Sequence, residues 1–284
     1  MDEKEKSERL ELISLNDNIV SFNRLYANSV RYHHWHQCLE MLYVEQGYGV
    51  VIVDNKHYTL RPGRIFFFPP LTLHKIMIEE SSTEIYRRTI IHIDQNAILP
   101  ILKNFPKNYQ QLSQISLRGS EAFIADVADI HDFLDHLFVR YAQLTEKNQL
   151  DSESAICLLL TLFSMLPEHK SMLTVQDNLI STKIMLWIEE NYTEKFSLDN
   201  LADYLGKSRS YVSRRFHHET GEKVHDYLTT FRLRKSCELL LRSPISVNDI
   251  ALAVGFSDVT YFISSFKNRI GETPLQYRKN NVQK

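Results

Sequence analysis

Cysteine is scarce: Cys38, Cys157 and Cys237 are the only three, an odd number without a CxxC pair. That argues against a disulfide framework and for a reducing compartment, so the expected location is the cytoplasm. Long apolar runs are missing too. The longest, near Ile65–Phe68 and Ile156–Leu160, are too short to span a bilayer, and the charged start Met1-Asp-Glu-Lys-Glu-Lys-Ser-Glu-Arg9 leads into no apolar stretch. No membrane partner is expected. Neither charge dominates: 33 Lys and Arg face 35 Asp and Glu, a net charge of −2 that at first sight speaks against nucleic acid.

That balance is not uniform. From Ser181 to Lys284 there are 16 Lys and Arg against 12 Asp and Glu, so this end is basic and the remainder acidic. An excess of four is modest, and taken alone it describes a solvated surface as well as a DNA-binding one. With 43% hydrophobic residues over 284 positions the chain can bury a sizeable core, and two domains are expected.

From about Ile19 to Ile93 the runs Leu42–Gly47, Val50–Asn55, His57–Leu60 and Ile65–Phe68 are β-branched or aromatic. They are separated by turn signals at Gly47-Tyr-Gly49, Asp54-Asn55-Lys56 and Pro62-Gly63, which predicts the short strands of a barrel or sandwich. Beyond Ser120 the period becomes helical. Phe123, Val127, Ile130, Leu134, Leu137, Tyr141 and Leu144 form a three-heptad seam, suited to packing between subunits or on the chain's own barrel. A helix over Asp151–Leu166 is apolar nearly all round and must be buried on most of its surface. The polar stretch Glu168–Asn178 is the linker candidate.

The C-terminal part repeats itself at about fifty residues. Leu198, Leu201, Ala202 and Leu205 form one helical stripe, and Val247, Ile250, Ala251 and Val254 form a second. Each is followed by a glycine (Gly206, Gly255) suited to a left-handed helix end, and then by a serine (Ser208, Ser257) suited to cap a second helix. The match continues through Tyr211 with Tyr261, Phe216 with Phe266, Gly221-Glu222 with Gly271-Glu272, and Tyr227 with Tyr277. Helix, glycine turn and capped helix make a helix-turn-helix, whose second helix can enter the major groove. Lys223–Leu241 reads as one amphipathic spacer helix of roughly 27–29 Å, suited to hold two such units about one DNA turn apart. A purely structural helical repeat is the alternative.

The stretch Ile250-Ala-Leu-Ala-Val-Gly-Phe-Ser-Asp258, with Tyr261-Phe262, Phe266-Lys267, Gly271-Glu-Thr-Pro274 and Tyr277-Arg278, resembles the signature of AraC/XylS-type regulators. The resemblance covers about Ser181–Arg278 and includes Phe231-Arg232 and Leu239-Leu240, with Ser236 where an alanine is usual. It implies that base edges are read by Ser210, Ser213 and Arg214 of the first unit and by Thr260, Tyr261 and Ser264 of the second. Arginine is common at the position of Ser264, so the second unit departs from the family pattern. Lys207, Arg209, Arg215, Lys267 and Arg269 are candidates for phosphate contacts, which position without specifying.

Nearer the N-terminus, His34-x-His36-x3-Glu40-x6-Gly47 has the spacing of the first cupin motif. Gly63-x5-Pro69-x4-His74 resembles the second, with Leu71 where a glycine is common. Two histidines at i and i+2 point to one face of a strand, and a carboxylate and a third imidazole complete a donor set for iron, manganese, nickel or zinc. The expected reading, which sensor domains of AraC-type regulators imply, is instead a metal-free barrel that keeps His34, His36, Glu40, Tyr43 and His74 for a small effector. Trp35, Tyr43 and Phe66–Phe68 offer aromatic faces for a sugar or another organic ligand, although alternation turns half of them into core.

The expected architecture is α+β: a cupin-like barrel over about Ile19–Ile93, a helical dimerisation region over about Leu99–Pro167, and an all-α domain of two helix-turn-helix units. In residue ranges this is an effector-binding and dimerisation domain at 1–170, a linker at 171–180 and a DNA-binding domain at 181–284. The expected function is that of a sequence-specific transcriptional regulator, not an enzyme, with no cofactor. The resemblance implies activation, a carbohydrate-type effector, RNA polymerase as a partner and a homodimer on double-stranded DNA. A metal-dependent cupin enzyme with an accessory DNA-binding domain is the alternative from another class. A third reading is an effector-independent activator whose barrel serves only to dimerise.

Overall fold

Turn residues between short apolar runs cut the N-terminal half into strands, as the computed structural model shows for the residues it describes: 10–11, 13, 15, 18–26, 32–79, 85–117, 120–167 and 179–282. The charged start Met1–Arg9 and the linker stretch 168–178 lie outside the described residues. The strands are β1 (Leu10–Glu11), β2 (Val20–Tyr26), β3 (Trp35–His36), β4 (Leu39–Gln46), β5 (Gly49–Val53), β6 (Lys56–Leu60), β7 (Arg64–Phe68), β8 (His74–Ile78) and β9 (Arg87–Ile93). Helices α1 (Gln95–Ile101) and α2 (Pro106–Ile115) follow, then β10 (Phe123–Asp126), α3 (His131–Glu146) and α4 (Ser152–Met165).

An antiparallel sheet in the order β10-β7-β4-β9-β2 faces a smaller one in the order β6-β5-β8, and β1 runs parallel to β3. Alternation gives the larger sheet two buried faces. Leu42, Val44, Phe66 and Phe68 point into the barrel with Val51, Val53, Leu60 and Ile76. Leu39, Met41, Tyr43, Ile65, Phe67, Ile91 and Ile93 point outward, where α1 to α4 cover them.

The helical seam needs correction at its start. Phe123–Asp126 is a strand that pairs antiparallel with β7, and the long helix begins only at His131. A free sheet edge beside β7 supplies hydrogen bonds that heptad spacing cannot foresee. From there Leu134 and Phe138 are buried on the chain's own barrel, with Leu137 and Tyr141 packed beside them. The apolar helix α4 buries Ala155, Leu158, Leu159, Leu162 and Phe163, whereas Cys157 and Met165 are exposed.

The C-terminal half is helical throughout: α5 (Ile180–Asn191), α6 (Leu198–Leu205), α7 (Arg209–Thr220), α8 (Val224–Arg242), α9 (Val247–Ala253), α10 (Val259–Ile270) and α11 (Pro274–Val282). The spacer is the single 19-residue helix α8. It is not amphipathic in its surroundings, because the two helix-turn-helix units and the barrel enclose most of its circumference. Even Ser236 is buried, donating its hydroxyl to Leu233 O at 2.7 Å.

The two halves are packed on each other. Leu10, Trp35, Ile52, Leu71 and Leu73 share one apolar cluster with Ile184, Phe216, Tyr227 and Phe231. Polar contacts frame it. Glu222 accepts from His33 N at 2.6 Å and pairs with Lys75 Nζ at 3.4 Å. Arg234 reaches Asp54 and the Leu71 carbonyl, both at 3.4 Å, and Asn55 donates to Glu189 at 3.0 Å.

Candidate nucleic-acid interface and barrel interior

In the first helix-turn-helix, Leu201 and Ala202 bury the inner stripe of α6. Gly206 then ends the helix at φ 61°, a left-handed backbone that costs a residue with a Cβ about 1–2 kcal/mol. The Ser208 hydroxyl accepts from Tyr211 N at 3.3 Å and starts α7. Val212, Phe216 and Thr220 of α7 face the core. The opposite side is thereby open: Ser210 and Arg214 are exposed, Ser213 is half-buried, and with Leu198 and Arg209 they line an open cleft of about 660 Å³.

The second unit is built alike with one correction. Ser257 does not cap α10; the Asp258 carboxylate does, accepting from Thr260 N at 2.7 Å and Tyr261 N at 3.0 Å. The turn after Gly255 is one residue longer than the turn after Gly206, which moves the cap to the residue fifty positions after Ser208. Gly255 is required twice over, by φ 89° and because a Cβ there would collide with the carbonyls of Tyr192 and Thr193. With Phe262, Ser265, Phe266 and Ile270 buried, Thr260, Tyr261 and Ser264 are exposed on the outer face of α10. Ser264 donates its hydroxyl to Tyr261 O at 3.0 Å.

The phosphate candidates divide. Lys207 is exposed and lies over the Tyr211 ring at 5.8 Å, and Lys267 is exposed on α10. Arg209 pairs with Asp199 at 3.3 Å on the surface, and Arg215 pairs with Glu219, which also accepts Ser181 N at 2.7 Å. Arg269 is a correction. It donates to Asp226 O at 3.2 Å and Thr230 Oγ1 at 2.8 Å, and it pairs with the Asp226 carboxylate at 3.3 Å. It sits beside buried Ile270, so its reach is inward to α8 and it ties the second unit to the spacer.

Inside the barrel, His36, Glu40 and His74 come together as their spacing implied, whereas His34 packs beside His74 with its Nε2 3.8 Å from a Glu11 oxygen. His36 Nε2 stands 2.9 Å from a Glu40 oxygen, and His74 Nε2 stands 4.0 Å from the other. His34 and His74 have ring centroids 4.3 Å apart, and Phe68 stacks on His74 at 4.1 Å. All four polar side chains are buried. His92 of β9 joins them, bonded through Nε2 to Glu40 at 3.0 Å. It escaped the sequence reading because it belongs to no motif; the signal available was its alternation with Arg88 and Ile90.

Tyr43 is a further correction. It lies three residues from Glu40 on the same strand, and an odd spacing puts it on the opposite face. There it is buried under α3, with its hydroxyl 2.6 Å from His131 Nδ1. Trp35 likewise turns out of the barrel into the cluster between the halves.

Burial penalises every charge in this interior, yet the close pair wins. Against that penalty the attraction of Glu40 holds His36 well above the ordinary histidine range, and His36 with His92 holds Glu40 well below the usual carboxylate range. Burial keeps His34 and His74 low, hence neutral. His36, Glu40 and His74 present one donor atom each, all within 4.8 Å of one another, a set of the kind that holds a divalent metal.

Comparison with known proteins adds the following. Residues 19–162 match the AraC-like ligand binding domain, and residues 201–280 match a helix-turn-helix domain. The chain is 25% identical over 258 residues to the HTH-type transcriptional activator RhaS of Escherichia coli strain SMS-3-5, a match covering 87% of each chain. Among solved structures, it is 41% identical to the C-terminal domain of the two-component response regulator yesN from Fusobacterium nucleatum, with 34% of this chain and 94% of that one covered and a TM-score of 0.33. ToxT from Vibrio cholerae is 14% identical, with 92% and 98% covered and a TM-score of 0.39. No described helix is long and apolar enough to cross a membrane.

Proposed function

The chain belongs to the AraC-type regulators, with a ligand-binding β-domain ahead of paired helix-turn-helix units, and from that premise we propose that it activates transcription from specific sites when a small effector occupies the barrel. The α7 and α10 helices enter successive major grooves. Ser210, Ser213 and Arg214 read bases in one, and Thr260, Tyr261 and Ser264 read bases in the other. Lys207, Arg209, Arg215 and Lys267 hold phosphates. The protein works as a homodimer in contact with RNA polymerase, and the effector lies among His34, His36, Glu40, His74 and His92. The observation that carries the reading is the paired exposed faces: at matching positions of the two repeats, each second helix buries its aromatic side and opens its polar side.

The two units contribute unequally to specificity. Arg214 donates its Nε–H to Ser210 O at 3.2 Å and offers its two terminal nitrogens as a forked donor, while the single Ser264 hydroxyl donates to Tyr261 O. A bidentate arginine–guanine contact discriminates by roughly 1–3 kcal/mol, so Arg214→Ala weakens the specific site about 5- to 150-fold and relaxes preference at one base pair, whereas Ser264→Ala does little. Both variants are measured on the cognate site, on single-base changes and on random DNA. Equal loss of affinity on all sequences for Arg214→Ala would make it a phosphate contact and overturn its assigned role.

A further inference from the structure

Each helix-turn-helix unit ends in the same dipeptide, Gly221-Glu222 after α7 and Gly271-Glu272 after α10. The two glutamates make different contacts. Glu272 is half-buried and accepts from Asn280 Nδ2 at 2.7 Å within its own unit. Glu222 is buried and turned to the barrel, where its Oε1 accepts the backbone N–H of His33 at 2.6 Å and stands 3.4 Å from Lys75 Nζ, which is buried too. The repeat does not account for this placement of Glu222; its partners, 189 and 147 residues away, do.

The barrel presents those partners as a pair. His34 and His74 exchange both backbone hydrogen bonds across an antiparallel bridge, at 3.0 and 2.9 Å, which sets His33 opposite Lys75 on the next rung. Neighbouring side chains point to opposite faces, so the His34 and His74 rings meet inside the barrel while His33 and Lys75 face the helical half. On the other side of the contact, Glu222 lies two residues beyond Thr220, the last residue of α7, and the turn between them is tight. Gly221 takes φ 69°, the Glu222 N–H donates to Thr220 Oγ1 at 3.3 Å, and fully buried Thr220 donates its hydroxyl to Phe216 O at 2.7 Å. A movement of Glu222 is thus a movement of α7.

A buried ion pair is held only while both partners stay, because a carboxylate left in a dry interface without its cation is costly. We propose that Glu222 is the positioning residue of the first recognition helix: gripped by Lys75 and the His33 N–H, it fixes α7 on the barrel wall in the pose that presents Ser210, Ser213 and Arg214 to DNA. The grip does not cover that face, because Ser210 and Arg214 are exposed with the two halves docked, as are Thr260, Tyr261 and Ser264. The docked chain is therefore the DNA-binding form, and the barrel orders the first unit from the far end of α7. Among the described residues Glu272 makes no such contact with the barrel, so the second unit does not depend on it.

This inference rests on α7 reading bases, and its test keeps the two apart. The full-length wild type first selects its site from random duplex DNA, and Arg214→Ala identifies the half of that site read by α7. Affinity for the site and for each single-base change is then measured for Glu222→Gln, Lys75→Met, the double variant and Glu272→Gln, with thermal unfolding alongside. Glu222→Gln keeps an oxygen for the His33 N–H and loses only the charge. The expected result is that Glu222→Gln and Lys75→Met each weaken the selected site by roughly 5-fold or more and flatten base preference in the α7 half alone. The double variant should be no weaker than the weaker single variant, because both remove one shared contact, and Glu272→Gln should bind as the wild type does. A role in stability alone lowers the melting temperature and leaves base preference intact, which overturns the proposal, as do tighter binding and an equal loss in both halves. Should Glu222→Gln fail to fold, Lys75→Met and Glu222→Asp, which keeps the charge and shortens the reach, decide by the same readouts. A wild type that selects no sequence overturns the regulator reading together with the grip. One that selects a site, with preference unmoved in folded variants, overturns the grip alone.

Discussion

Leu71 occupies a backbone conformation that favours glycine, at φ 66°, yet its side chain is only 5% exposed and packs in the cluster between the halves. Its N–H donates to His36 O at 2.9 Å and its carbonyl receives Arg234. The second cupin motif usually has glycine here, and the left-handed backbone is the reason. Left-handed strain costs about 1–2 kcal/mol, whereas truncating a buried leucine costs about 2–5 kcal/mol. Leu71→Gly is therefore destabilising by about 0–4 kcal/mol in urea unfolding, and a stabilised variant would show strain outweighing packing. At this scale the spacing of His34, His36, Glu40 and His74 was legible because i and i+2 on a strand share a face. The outward turn of Tyr43 obeys the same parity rule. The inward reach of Arg269 does not follow from local spacing, because its partners on α8 lie about forty residues away.

Elements were legible where their signals are local. The glycine turns, the Ser208 cap and the spacer helix all follow from short-range patterns, and these elements have the predicted types. The second cap was displaced because repeat spacing slips from forty-nine to fifty within the turn. Its chemistry gives a direct check: Asp258→Ala removes two backbone contacts and should cost about 0.5–2 kcal/mol, while Ser257→Ala should be near neutral in the same thermal-unfolding measurement. Equal losses would mean that both side chains support the turn. The apolar residues of β10 fit a heptad as well as a strand, and only the open edge of β7 distinguishes the two.

At the scale of the whole molecule, His57 of the barrel sits between Ser181 and Thr182 of α5, with its ring nitrogens 3.4 and 3.3 Å from their hydroxyls. Burial pushes it down to about 4, with Glu219 and His33 as the charged neighbours. A histidine depressed in the docked state binds its proton more readily when the halves separate. Its contribution is complete above the free value of 6.5 and is lost as pH falls toward 4. Docking should thus weaken over that window. Small-angle scattering should show expansion of the wild type as pH is lowered from neutrality, and His57→Gln should flatten the response. An identical pH profile in the variant would remove His57 from the contact.

By itself the sequence determined what depends on neighbours along the chain: two repeated helix-turn-helix units, a β-rich half with a histidine motif on one strand face, and the polar outer faces of α7 and α10. Tertiary structure alone decided which residues from distant segments meet. It brought His92 to Glu40, committed Arg269 to Asp226 and set Glu222 against His33 and Lys75. The physical reason is range. Periodicity and capping act over one to four residues, whereas sheet pairing and domain docking join positions tens to nearly two hundred residues apart, and no local pattern encodes which partner lies opposite.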